Sequence, residues 1–247
     1  MAKRTVEGIS MWRRIVDSIV DDIHRGALAP GGRLPSALAI AARFGVNRLT
    51  VLRALSHLEN EGVVSMEQGR GTFVSRDPIN YHFEKRKYFE ENILENRKQP
   101  TRRLISIEQA AASPPVCAAL GLRDGERVVV VTTLSEADGV PISYGPSYFP
   151  ERLLPHAGQA FEKAARGADA ILSTSAVLKK LGVNDYQRKS IRMRSRPPTT
   201  IEVERLKIPT TEYVLQTDVI NIDAQERLIS FGQTAYAASR VAFVIDR

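Results

Sequence analysis

The spacing of apolar residues changes character along the chain. In residues 10–25, Ile15, Ile19 and Ile23 recur at i, i+4, i+8, and Trp12, Val16 and Val20 widen the stripe. Asp17, Asp21 and Asp22 keep the opposite side wet, so the segment reads as an amphipathic helix ended by Gly26. Trp12 reads as a core or inter-domain anchor. After the turn Ala29-Pro30-Gly31-Gly32, Leu38, Ala41 and Ala42 repeat at helical spacing, with Phe44 closing the run. Ser36 is placed to cap this helix and Gly45 to end it, because glycine enters the left-handed region at little steric cost. Asn47 is the expected cap of a third helix. There Val51, Leu55 and Leu58 form the inward stripe, and Arg48, Leu49, Leu52 and Arg53 lie on the other side. Gly62 stops it. Residues 63–66 and 72–74 are β-rich runs joined by Glu67-Gln68-Gly69-Arg70-Gly71, a hairpin tip with one arginine.

Helix, turn, helix, hairpin is the order of a winged helix-turn-helix. A helix fits the major groove and meets base edges with its first turns. A glycine-rich wing with an arginine lies against phosphate or enters the minor groove. Residues 77–103 read as a linker: Asp77-Pro78 breaks the preceding strand, and the stretch is charged, with apolar residues only at intervals. Its Lys85-Arg86-Lys87 run reads as a solvated face.

From residue 104 the pattern is that of strands. Residues 104–107, 127–134, 142–149, 185–195, 214–222, 229–237 and 241–244 are strand candidates, the last as an edge strand. Ala137-Asp138-Gly139-Val140-Pro141 is a hairpin turn. Short helices are expected at 113–120, 159–166 and 175–181. The predicted fold is therefore α+β: an N-terminal winged domain (1–76), a linker (77–103), and an antiparallel-sheet α+β domain (104–247).

Composition changes this picture little. Of 247 residues, 43% are hydrophobic, and the net charge is +7 with pI near 9.7, which suits a polyanionic partner. Residues 1–78 hold eleven Lys/Arg against eight Asp/Glu, a net of +3, so the remaining +4 lies downstream. Charge alone therefore does not single out the winged domain; the motif does. One cysteine, Cys117, precludes an internal disulfide and fits a reducing cytoplasm, with the thiol as small apolar filler. No apolar run approaches the ~20 residues of a membrane span, and the first residues lack the apolar core of a signal peptide. The four histidines, His156 among them, do not fall at metal-ligand spacing, so neither metal nor other cofactor is expected. No carboxylate pair, Ser/His/Asp set or Cys/His set stands out, which speaks against an enzyme.

The segments LPS, AARFGVNRLTV, EG and QGRGTFV of the first domain resemble the DNA-binding domain of the GntR family of bacterial transcription regulators. The resemblance implies DNA contacts at Arg48, Thr50 and Gly69. Ser36, Asn47, Leu49, Arg53 and Arg70 complete the candidate interface. Leu38 and Leu52 stand where that family usually carries arginines, so those two contacts do not carry over. Leucine can touch a thymine methyl but offers no hydrogen bond to guanine. The expected recognition sequence therefore differs from that of relatives with arginine at position 52.

The second half, in RVVVVTTLSEADGVPISYGPSYFP, GVNDYQRKSIRMRSRPPT and VINIDAQERLISFGQTAYAASRV, resembles the UTRA effector domain of the HutC subfamily, whose fold is similar to chorismate lyase. The ADG-PI, DY-R and SRV-F steps are most similar to regulators of phosphonate metabolism in that subfamily. Members that bind sugar phosphates use two arginines where this chain has Thr133 and Ser135, a hydroxyl pair matched by Ser173 and Ser175, and a glutamate matched by Ser230. Loss of both arginines and the glutamate counts against a sugar phosphate bound in the usual way. Arg188, in the DY-R step, is the first candidate to hold an anion, and strand parity puts Arg192, Arg194 and Arg196 on its face. The resemblance implies a cytoplasmic, homodimeric repressor that binds a palindromic double-stranded operator of phosphonate uptake and catabolism genes and is switched by a small anion such as a phosphonate. Another small metabolite, a sugar phosphate or an amino-acid catabolite, is the alternative effector.

Overall fold

Three helices and a hairpin make the first unit: α1 (Met11–His24), α2 (Ala37–Phe44), α3 (Arg48–Asn60), β1 (Val64–Glu67) and β2 (Gly71–Val74). The structure is a computed structural model that describes residues 10–67, 69–75, 78–84, 86–167 and 171–245. Gln68 of the expected wing tip, Asp77 and Lys85 lie outside the described residues. The chain divides into two units at Asp77/Pro78.

The caps fall where the sequence places them. The Ser36 hydroxyl accepts from Ala39 N–H at 3.2 Å, and Asn47 Oδ1 accepts from Thr50 N–H at 2.8 Å. Gly45 ends α2 with φ +63°. Ile15 and Ile19 of α1 pack on Val51, Ala54, Leu55 and Leu58 of α3, all buried; each of the valine, leucine and isoleucine side chains contributes about 1.5–3 kcal/mol by leaving water. Of the three residues that mark α2 by their spacing, only Ala41 is buried. Ile40 and Ala41 point inward, whereas Leu38 is 71% exposed and Ala42 is also exposed. Leu34 and Ile40 fill the space beside α3, which leaves Leu38 on the outside. Trp12 is half-buried on this core, its ring 5.0 Å from that of His57.

The second unit is built on a six-stranded antiparallel sheet. Its strands are β4 (Pro100–Ala111), β5 (Arg127–Ala137), β6 (Val140–Pro150), β7 (Tyr186–Arg196), β8 (Val214–Asp223) and β9 (Leu228–Ala237), in the order β4-β5-β6-β9-β8-β7. β5 and β6 are joined by Asp138-Gly139, both at positive φ (50° and 73°), the two-residue turn that matches strand twist. Helices cover both faces. α6 (Ala157–Ala165) and α7 (Thr174–Lys180) pack over Val129, Val131 and Phe149, while α5 (Pro114–Leu120) covers Val128 and Phe231 on the reverse. α8 (Thr200–Leu206), for which the spacing gave no expectation, closes the reverse face with Leu206 against Leu134 and Ala235. Its start is a capping box: Thr199 accepts from Glu202 N–H, and Glu202 accepts from Thr199 N–H.

Two further expectations are corrected. The stretch 77–103 carries β3 (Ile79–His82), α4 (Phe89–Glu95) and the start of β4, all within the second unit. Its widely spaced apolar residues are core: Tyr81, Phe89 and Ile93 are at most 3% exposed and pack on Ile142, Tyr236 and Val241. Those partners lie far along the chain, so local spacing does not reveal them. The last strand, β10 (Val241–Val244), is not an edge of the main sheet; it pairs in parallel with β3, Val241 opposite Ile79.

Candidate DNA interface and effector cavity

The outer side of α3 is set by its own periodicity. With Val51, Ala54, Leu55 and Leu58 turned inward, Arg48, Leu49 and Arg53 are exposed, Leu49 by 75%, and Thr50 and Leu52 are half-buried. Asn47 Oδ1 also accepts from the Thr50 hydroxyl at 2.9 Å, which fixes both side chains at the start of the helix. The Arg53 guanidinium lies 5.1 Å from the Trp12 ring centre, a cation–π contact that orients it. In the hairpin, Gly69 has φ +76°, and Arg70 pairs with Glu67 and lies over the Phe73 ring. Gly71 has φ +114°, and a Cβ there would come 2.9 Å from Arg33 Nε. The wing therefore presents glycine backbone flanked by two guanidiniums. Exposed cations beside exposed leucines suit phosphate contact together with thymine-methyl contact.

In the second unit a cavity of about 130 Å³ lies between the sheet face that carries Thr133 and Ser135 and the β3–α4 segment. Five of the six expected effector residues line it: Thr133 and Ser135 on β5, Ser175 on α7, Arg188 on β7 and Ser230 on β9. Ser173 does not line it. Its hydroxyl caps α7 by accepting from Ala176 N–H, and Thr174 lines the wall instead.

Arg188 reaches the cavity because of a bulge. β7 pairs regularly with β8 from Ser190 to Arg196, but the register shifts between Arg188 and Ser190. One extra residue turns Arg188 to the face opposite that of Arg192, Arg194 and Arg196, so the parity grouping fails at that point. Arg192 and Arg194 are exposed. Arg196 pairs with Glu202 at 2.6 Å and donates to Gln216. Arg188 Nη1 donates to the carbonyls of Glu84 and Lys87, the latter at 2.5 Å, and its guanidinium lies over Phe83 and Tyr88 at 5.3 and 5.0 Å. It thus ties the segment after β3 to the wall of the cavity.

Three polar groups in the wall escaped the sequence reading. Arg102, on β4, donates to Ser135 Oγ at 3.2 Å and Thr174 Oγ1 at 3.4 Å, and lies 4.5 Å from the Phe89 ring centre. Glu90, on α4, has Oε1 3.5 Å from Arg102 Nη1, an ion contact without hydrogen-bond geometry. That oxygen is buried and has no hydrogen-bond partner. Asn221, on β8 opposite Arg188, donates through Nδ2 to Ser230 Oγ at 2.9 Å, while its buried Oδ1 has no partner. Arg102 and Glu90 both sit in the stretch read as a linker, and nothing in their spacing marked them. Burial pushes the phenols of Tyr81, Tyr88, Tyr186 and Tyr236 above their ordinary pKa, so all four are neutral at physiological pH. The Ser175 and Tyr186 hydroxyls are 2.8 Å apart, and Tyr88 donates to the Tyr186 carbonyl at 2.6 Å. Two guanidiniums, one carboxylate and a ring of hydroxyls can hold a small charged molecule, and no bonded nucleophile–base pair is among them.

A helix-turn-helix unit with a wing, joined to a sheet domain with a charged cavity, defines a ligand-responsive DNA-binding transcriptional regulator rather than an enzyme. The chain belongs to the GntR family: residues 12–74 match "Bacterial regulatory proteins, gntR family", and residues 95–242 match the UTRA domain. It is 32% identical over 253 residues to the HTH-type transcriptional regulator RB1450 of Rhizobium meliloti (strain 1021), covering all of both chains. It is 30% identical over 217 residues to the "Probable transcriptional regulator PhnF" of Escherichia coli (strain K12), covering 87% of each. The crystal structure of PhnF from Mycobacterium smegmatis shares the fold, with a TM-score of 0.62 at 20% identity, covering 95% of this chain and 98% of that one. Among the described residues no helix is long and apolar enough to cross a membrane.

Proposed function

We propose that the protein is a cytoplasmic repressor that binds a palindromic operator as a homodimer, controls genes of phosphonate uptake and catabolism, and is released by a small anion such as a phosphonate. In this reading residues up to 76 read DNA, the sheet domain senses the effector, and the 77–103 segment carries the coupling. The observation that carries it is Arg188, which faces the cavity while its Nη1 holds the Glu84 and Lys87 carbonyls on the chain leading back to the winged unit. An oxyanion that draws Arg188 toward the cavity competes with those carbonyls, because bonds between two charged groups are the stronger. The size of the cavity supports a compact ligand. A void of about 150 Å³ holds a molecule the size of benzene.

The test is fluorescence anisotropy of the full chain on the DNA upstream of its own gene, with methylphosphonate, inorganic phosphate, glucosamine 6-phosphate and urocanate in parallel. Tight binding, weakened about 5–150-fold by a phosphonate, is the expected result. Release by the sugar phosphate or urocanate alone would replace the phosphonate with the other effector class. Absence of DNA binding would refute the operator role.

A further inference from the structure

We infer that the effector carries a protonated amine beside its oxyanion head: a short amino-alkyl oxyanion of about benzene size. The inference rests on the proposed phosphonate-type reading and specifies the other end of the ligand. The cavity holds two buried acceptor atoms that receive no hydrogen bond, Glu90 Oε1, whose sole contact of this kind is the 3.5 Å ion contact with Arg102, and Asn221 Oδ1. A bare phosphonate or phosphate dianion brings only acceptors and leaves both unsatisfied. A primary ammonium brings three donors. Glu90 is the more telling of the two, since a carboxylate has no donor to offer in any other rotamer, whereas an amide does.

Charge points the same way. The cavity's ionic side chains are Arg102, Arg188 and Glu90, a net of one positive charge. A phosphonate dianion bearing one ammonium is a net monoanion and matches it; the dianion alone overshoots it. Hydroxyls at Thr133 and Ser135, where sugar-binding relatives carry arginines, leave Arg102 and Arg188 as the only guanidiniums in the wall among the described residues. Arg102 donates to Ser135 and Thr174 rather than to Glu90, so the Glu90 oxygen keeps its capacity to accept. The ammonium seats on Glu90 and the oxyanion on Arg188 and the nearby hydroxyls.

The experiment is calorimetric titration of the full chain with 2-aminoethylphosphonate, ethylphosphonate and taurine, repeated on Glu90→Gln. In the unaltered chain aminoethylphosphonate binds about tenfold or more tightly than ethylphosphonate, the worth of one charge-assisted hydrogen bond. In Glu90→Gln that preference falls below about twofold, and ethylphosphonate binds as well as before or better, because a negative charge has left the cavity. Equal affinity for the two phosphonates in the unaltered chain overturns the amine assignment and leaves the phosphonate reading standing. Binding of taurine with neither phosphonate does the reverse. Binding of none of the three overturns both. Glu90→Gln that weakens both phosphonates equally assigns Glu90 a structural role and overturns its contact with the ligand. The comparison of ligands on the unaltered chain needs no variant to fold.

Discussion

Replacing Arg102 with methionine isolates the electrostatic frame of the cavity while keeping most of the side chain's bulk. The guanidinium donates to Ser135 Oγ at 3.2 Å, a bond from a charged donor worth about 1.5 kcal/mol. Its position 4.5 Å from the Phe89 ring adds about 1 kcal/mol. Its loss also strips the Glu90 carboxylate of its counter-ion. Removing one partner of a fully buried pair costs about 3–5 kcal/mol, but here the side chains are 14% and 22% exposed and not hydrogen-bonded to each other, so about 1 kcal/mol is the appropriate share. Arg102→Met should therefore destabilise the second unit by about 3.5 kcal/mol, a fall in its Tm of about 7–14 °C for a unit of that size. The assay can separate the units. The one tryptophan, Trp12, lies in the first unit and all seven tyrosines lie in the second, so Trp12 fluorescence excited at the red edge follows the first unit, and the tyrosine-dominated near-ultraviolet dichroism follows mainly the second. Adding Glu90→Gln to Arg102→Met should recover about 1 kcal/mol, because the uncompensated charge is gone. A Tm within 1–2 °C of the parent for Arg102→Met, or a double variant less stable than the single, would refute this account of the cavity wall.

The other expected outcomes are more local. Gly145→Ala places a Cβ 2.1 Å from the Gln233 carbonyl oxygen, where β6 meets β9; backbone cannot yield there, and a loss of about 3 kcal/mol or more in urea melts is expected. Asn47→Ala removes the cap of α3 and should cost the first unit about 1 kcal/mol, read from Trp12 fluorescence; no change would mean the cap contributes nothing. Leu52→Arg should change the operator selected from random DNA, adding about 1–3 kcal/mol of preference for one G·C pair; an unchanged selected sequence counts against the placement of position 52 at the bases. Burial opposes ionisation of Glu202, but hydrogen bonds from Arg196 and the Thr199 N–H outweigh it and hold its pKa below the usual glutamate value. Its contribution to stability is therefore fully present above the ordinary glutamate pKa and is lost as pH falls through the lowered one. In Glu202→Gln the acid limb of the stability curve should be shallower, and a superimposable limb would contradict the assignment.

Much of the first unit was legible from short-range chemistry. The caps Ser36 and Asn47, the stop at Gly45 and the inward stripe of α3 depend on neighbours within one or two helical turns, and those are visible in order along the chain. The inward face of α2 was not legible from spacing, because Leu38, Ile40, Ala41 and Ala42 fit more than one stripe; packing on α3 buries Ile40 and leaves Leu38 outside. In the second unit the strands and most helices followed from β-branched runs and glycine stops. The resemblance to the effector domain brought five of the six expected cavity residues to one place, and Ser173 alone was diverted to capping.

The sequence by itself determined the family, the winged helix-turn-helix, the antiparallel character of the sheet and the positions where hydroxyls replace arginines. Tertiary structure alone decided the rest. Tyr81, Phe89 and Ile93 become core only when β10 and Tyr236 arrive from about 150 residues away, so a segment that read as linker became a wall of the cavity. Arg188 left the face of Arg192 and Arg194 because one bulged residue reverses every side chain beyond it, and no alternation count can register that. Arg102 and Glu90 acquire their meaning from strands and a helix that meet only in the folded chain, since charge on an isolated segment says nothing about what it will face.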